Sequence, residues 1–176
     1  MKINIFLNVE TLEDLKKEYH TLAMQHHPDM GGDLQTMQYI NAEFDRLFPN
    51  FKNKHKNKDG VTYTSNKDTA ETPEAFKIII DALLGLHMVD VTIEIIGSFV
   101  WLSGNTIAYK DQIKALKLGF LWHSGKKAWY KKPAGYRKSS KQKTSMVDIR
   151  NMYGSIAVQQ SNTVHTDIVQ RPTLAF

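Results

Sequence analysis

The chain has 176 residues, 41% apolar and 23% charged, ordinary globular usage that argues against wholesale disorder. Cysteine is absent, which excludes a disulfide framework, a thiolate metal centre and a cysteine nucleophile. The formal charge of +5 conceals a segregation: residues 1–51 carry four bases against eight acids, whereas 110–143 carry eleven bases against Asp111 alone. Such asymmetry predicts two modules with different partners, the second partner polyanionic.

The start, Met1-Lys2-Ile3-Asn4-Ile5-Phe6, meets Glu10, Glu13 and Asp14 without a long apolar core, so no signal peptide is expected. The most apolar stretch, 76–102, is broken by Lys77, Asp81, Asp90 and Glu94, which argues against a membrane span. A cytoplasmic protein is expected. Thr11 suits the cap of a first helix, with Glu13 and Asp14 in the turn that favours negative charge. Leu12, Leu15, Tyr19, Leu22 and His26 define its apolar face, and Lys16, Lys17, His20 and Thr21 fall largely outside it. Pro28 ends this helix. Asp29-Met30-Gly31-Gly32 reads as a turn and Asp33 as the cap of a second helix, in which Met37, Ile40, Phe44 and Leu47 recur and which ends before Pro49. Two amphipathic helices with so short a join predict an antiparallel hairpin within residues 1–51.

Residues 52–72, rich in Lys, Asn, Asp and Thr, read as a polar linker, with 61–64 compatible with a short strand. A basic α+β module follows over 73–154. Thr72-Pro73-Glu74 opens a helix with Phe76, Ile79, Ile80, Leu83 and Leu84 on one face, ended by Gly85. Residues 89–96 and 99–102 read as a hairpin about Gly97-Ser98, and 110–118 as a short helix. Residues 120–123 and 128–131 form a second hairpin, and Ser145 opens a last short helix that stops at Gly154. Residues 155–176 read as a mobile tail. The fold class is therefore α+β, a helical hairpin beside a small domain with two β-hairpins.

The run Tyr19-His20-Thr21-Leu22-Ala23-Met24-Gln25-His26-His27-Pro28-Asp29 resembles the J-domain family, co-chaperones of DnaK-type ATP-driven chaperones, and 37–44 looks like the family's third helix. Gly31-Gly32-Asp33 after the tripeptide is similar to short viral and mobile-element J-domains, including those of polyomavirus large T antigens. The resemblance covers about a quarter of the chain. It implies that His27, Pro28 and Asp29 dock on the chaperone and stimulate its ATP hydrolysis, with Lys16, Lys17 and His20 on the steering face. His20, Thr21 and Gln25 stand where the family commonly carries bases, so steering is expected to be weaker, with His20 regaining charge at mildly acid pH. Physically, proline fixes the turn at low entropic cost and presents an imidazole beside a carboxylate. The plainer reading is a helix stop with a solvated aspartate.

In the second module, Ala128, Trp129, Tyr130 and Lys131 alternate as a strand does. Lys126, Lys127, Lys131, Lys132, Arg137 and Lys138 form a cationic strip able to neutralise phosphates, and Trp129 or Tyr130 can stack on unpaired bases. An acidic protein surface would suit the strip equally well. At least two of Trp101, Trp122 and Trp129 are expected in the core. The string from Trp101 through Tyr130 resembles a small C-terminal module of uncharacterised phage and mobile-element proteins, and 118–130 is loosely similar to elements of DNA-annealing helicase accessory domains.

No catalytic constellation emerges. Ser103, Ser124 and Ser139 lack a nucleophile-elbow context, and the glycines read as turn residues rather than a phosphate loop. His20 and His27 lie two helical turns apart, too far for shared ligation, so neither a metal nor another cofactor is expected. The leading expectation is a non-enzymatic co-chaperone that brings a DnaK-type chaperone to a nucleic-acid client through the basic module. The alternatives are a nucleic-acid-binding protein, or an inhibitor of a host protein, in which the hairpin is scaffold or decoy.

Overall fold

The computed structural model describes residues 5–57, 59–137 and 144–160. In chain order they form α1 (Leu12–His26), a 3-10 turn (Pro28–Met30), α2 (Leu34–Phe51), β1 (Lys54–Lys56), β2 (Thr62–Thr64) and α3 (Pro73–Leu84). There follow β3 (Val91–Ile96), β4 (Phe99–Gly104), α4 (Lys110–Ala115), β5 (Leu121–His123), a 3-10 turn (Ser124–Lys126), β6 (Ala128–Lys131), α5 (Met146–Tyr153) and β7 (Ser155–Gln160). The class is α+β: an antiparallel α1–α2 pair precedes two sheets of antiparallel strands.

The helix ends are set by the capping chemistry legible in the sequence. Thr11 accepts from the Asp14 amide at 3.2 Å, Asp33 from Thr36 at 2.7 Å, and Thr72 from Ala75 at 3.2 Å. Ser145 and Asp148 close a reciprocal capping box at the start of α5. α2 runs one turn further than expected and carries Pro49 inside it.

Both expected hairpins exist, and they join into one sheet of order β5-β6-β4-β3-β7. Alternation then divides the sheet. Val91, Ile93 and Ile95 of β3, Val100 and Leu102 of β4, and Trp129 of β6 lie in the same buried cluster as Leu15 and Tyr19 of α1, Ile40 and Phe44 of α2, Phe76 and Ile80 of α3, and Ile113 of α4. Ile96, Trp101 and Ala128 form a second cluster with Phe99 and Tyr130, under Met146 and Ile149 of α5. Each fully buried Leu, Ile or Phe contributes about 1.5–3 kcal/mol, and the larger cluster draws on all three of the first helices.

Two segments depart from the sequence reading. Residues 52–72, expected as a linker, carry the β1–β2 hairpin, tied to α1 by His55–Glu13 at 2.7 Å and Lys56–Asp14 at 3.2 Å. Within the expected tail, residues 155–160 pair along the whole of β3 as an edge strand; residues 161–176 lie outside the described residues. Among the described residues, no helix is long and apolar enough to cross a membrane.

Candidate functional site

The His27-Pro28-Asp29 corner sits where α1 gives way to the first 3-10 turn. His27 leaves the helix with ψ 133, the extended geometry that a following proline enforces. Gly31 takes a left-handed φ of 85, and a Cβ on Gly32 would stand 2.1 Å from the His26 carbonyl carbon. Both glycines are therefore needed for the chain to fold back onto α2. Pro28 and Asp29 are exposed, whereas the His27 side chain is only 13% exposed.

His27 Nδ1 accepts from the Asp29 amide at 3.2 Å, so in the neutral ring the proton belongs on Nε2. Nε2 faces Asp81 Oδ1 of α3 at 3.6 Å. That oxygen is buried and has no hydrogen-bond partner among the described residues. Burial, with Glu74 and Asp29 nearby, raises the Asp81 carboxyl above its ordinary value against the pull of His27 and Lys77. A Cβ on Gly85, just past α3, would lie 3.6 Å from Asp29 Oδ2. The corner is thus flanked by the end of α3, which the sequence had not linked to it: the partners lie 54 residues apart and share no local pattern.

The steering face expected on α1 is turned inward. Lys16 is 1% exposed, bonded to both Glu71 carboxylate oxygens at 3.1 Å and to the Ser98 carbonyl at 3.2 Å, over the Phe76 ring. Lys17 donates to the Tyr153 carbonyl at 2.9 Å, and its burial lowers its pKa. His20 is fully buried, both ring nitrogens lack a partner among the described residues, and burial pushes its pKa down to about 4. Contrary to the sequence reading, these three side chains are not presented to an external partner, and His20 gains no charge at mildly acid pH. A single-face view of α1 missed this because the second face is covered by residues 55 to 136 positions away.

The basic module is rearranged in a similar way. Trp101 and Trp129 are buried, as expected for two of the three tryptophans, so Trp129 is no stacking platform. Tyr130 is half-buried and stacks on Trp101 at 5.2 Å. Lys126 donates to the Thr144 carbonyl and Lys131 to Leu118 at 2.6 Å. Lys127, Lys132 and Arg137 are exposed, and Lys138 lies outside the described residues. Trp122, the third tryptophan, which sequence reasoning had not offered as a stacking residue, is 44% exposed on β5, beside an exposed Leu121.

A groove of about 660 Å³ opens between the start of α1, the β1–β2 hairpin and the α5 side of the sheet, lined in part by Glu13, Lys17, His55, Trp101 and Tyr136. Its acids and bases are largely paired with each other. Among the described residues, no group of three His, Asp or Glu side chains is placed to hold a metal ion. No family model, curated protein or solved structure matches the chain.

Proposed function

We propose that the chain is a J-domain-type co-chaperone, engaging a DnaK-type chaperone through the corner at His27, Pro28 and Asp29 and bringing it to a client held by the basic module. The observation that carries the reading is the corner itself: a proline-fixed bend between two packed helices, with an exposed carboxylate beside an oriented imidazole. The corner catalyses nothing; it offers hydrogen-bonding groups to the partner's own machinery. Because Lys16, Lys17 and His20 are occupied or buried, the encounter gains little from electrostatic steering and depends weakly on salt. Tethering gives such a contact its value, since a bound client raises the local concentration of chaperone. Polyanionic character is assigned to the client because residues 110–137 carry eight bases against Asp111.

The test is ATP turnover by a purified DnaK-type chaperone with wild type, His27→Gln and Asp29→Asn. Stimulation by wild type that both substitutions abolish is expected; no stimulation by any of them removes the co-chaperone reading. The second reading, a nucleic-acid-binding protein whose hairpin is scaffold, is favoured by one observation, the inward turn of the α1 bases. It predicts salt-sensitive nucleic-acid binding that survives His27→Gln, together with a silent ATPase assay.

A further inference from the structure

From the sheet edge at β5, we infer that Trp122 is a stacking platform for an unpaired nucleobase, making this edge a binding site for single-stranded nucleic acid. The inference rests on the client-binding half of the proposed function and gives it a location the sequence did not. Three observations carry it. First, Trp122 is half-exposed on the outermost strand of the sheet, next to exposed Leu121, and it is the large aromatic of this sheet whose ring reaches solvent most freely among Trp101, Trp122 and Trp129. Second, it is braced from the side by the neighbouring strand. Trp122 pairs with buried Trp129 in the β5–β6 register, ring centroids 5.6 Å apart and tilted by 59°. A rigid indole loses little freedom on binding, and any base presents a π-face to it.

Third, bases bracket the platform. Lys114 lies in the last turn of α4 and Lys117 in the loop before β5, Lys127 sits in the turn after it at a left-handed φ of 49, and all three are exposed. Lys131 lies on the Trp129 side of β6 and is anchored to the Leu118 carbonyl of the same loop. Asp111 is the lone acid from 110 to 137. Phosphates flanking a base stacked on Trp122 therefore meet positive charge along the strand in both directions.

The chemistry selects this occupant over its rivals. A peptide strand added to the edge would find a three-residue strand with few ladder bonds to offer. In a duplex the bases already stack on one another, so the indole has no free face to cover. The opposite side of the sheet is excluded, since Met146 and Ile149 of α5 pack over its aromatic cluster.

The test is a titration of the full chain with labelled oligo-dT and oligo-U of about fifteen nucleotides, with the matching duplex and poly-glutamate as controls. Expected are binding of both single strands that weakens with salt, quenching of tryptophan emission, and preference over duplex and poly-glutamate. Trp122→Ala should weaken binding by about tenfold and Trp122→Phe by no more than about threefold. Replacing Lys114, Lys117 and Lys127 together by Gln should flatten the salt dependence. Since Trp122 is half-exposed, unchanged thermal midpoints serve as the folding control. Single strands bound equally well by Trp122→Ala, or duplex or poly-glutamate bound as tightly as single strands, would overturn the inference while leaving a polyanionic client in place. No nucleic-acid binding at low salt overturns both the inference and the nucleic-acid client, and leaves the chaperone contact to its own ATPase assay.

Discussion

At the corner, the imidazole of His27 has an acceptor side and a donor side, and different parts of the chain serve them. The adjacent Asp29 amide fixes Nδ1, while Asp81, from the next helix, faces Nε2. Asp81 is thus a positioning residue for His27. Asp81→Ala should leave the fold intact but mix the ring tautomers, read directly by imidazole ¹⁵N shifts, and reduce chaperone stimulation by about three- to tenfold, the scale of one weakened oriented contact. Unchanged ¹⁵N shifts would remove that role. His20 makes a different prediction. Its folded pKa of about 4 lies below the unfolded 6.5. Stability is therefore fully present above pH 6.5 and is lost as pH falls towards 4, by up to about 3 kcal/mol. His55 works oppositely: its bond to Glu13 raises its pKa, so its contribution is complete below 6.5 and lost as pH rises through the raised value. Glu13, lowered by His55 and Ser98 against its burial, adds stability above 4.5 that is lost at lower pH. Replacing His20 by Leu removes two buried nitrogens that lack a partner among the described residues. Denaturant melts should show a gain of about 2–3 kcal/mol at pH 5 and a smaller one at pH 8; a gain independent of pH would contradict the burial account.

Among the elements, the starts of α2, α3 and α5 were legible because they are local chemistry: Asp33, Thr72-Pro73 and the Ser145/Asp148 box. α1 was legible as a helix but not in its orientation. Only its Leu12, Leu15, Tyr19, Leu22 face shows a helical period, whereas Lys16 and Lys17 are buried by tertiary partners that no window of sequence contains. β7 was missed for a related reason. Ser155-Ile156-Ala157-Val158-Gln159-Gln160 has too few apolar residues to announce a strand, and it is specified by its ladder to β3. α5, which leads into that strand, is pinned by Arg150, whose guanidinium takes both oxygens of the buried Glu94 at 2.9 and 2.5 Å. Arg150→Ala leaves Glu94 buried and unpaired, and should cost about 3 kcal/mol in chemical denaturation. A loss under about 0.5 kcal/mol would mean that Glu94 is better hydrated than its 2% exposure implies.

The molecule as a whole is less divided than its charge distribution suggests. The α+β class and the hairpin phasing were readable from period and punctuation, but the contact between the two halves was not. The residues that make it (Leu15, Tyr19, Phe76, Ile80 and Ile93) are each ordinary core residues of their own element. One continuous cluster predicts one cooperative transition. Tryptophan emission reports on 101–129 and far-UV circular dichroism is weighted towards α1 and α2, so the two should melt together; separated midpoints would mean independent modules. The proposed chaperone contact rests on this same architecture, since the corner and the end of α3 form one surface, remote in sequence from the basic edge at β5. The most direct measurement is therefore an ¹⁵N-labelled titration of the whole chain with an ATP-loaded DnaK-type chaperone. Broadening confined to residues 26–33 and 81–85, with 114–127 unperturbed, is the predicted result. Broadening centred on β5 and β6, or none at saturating chaperone, would contradict it.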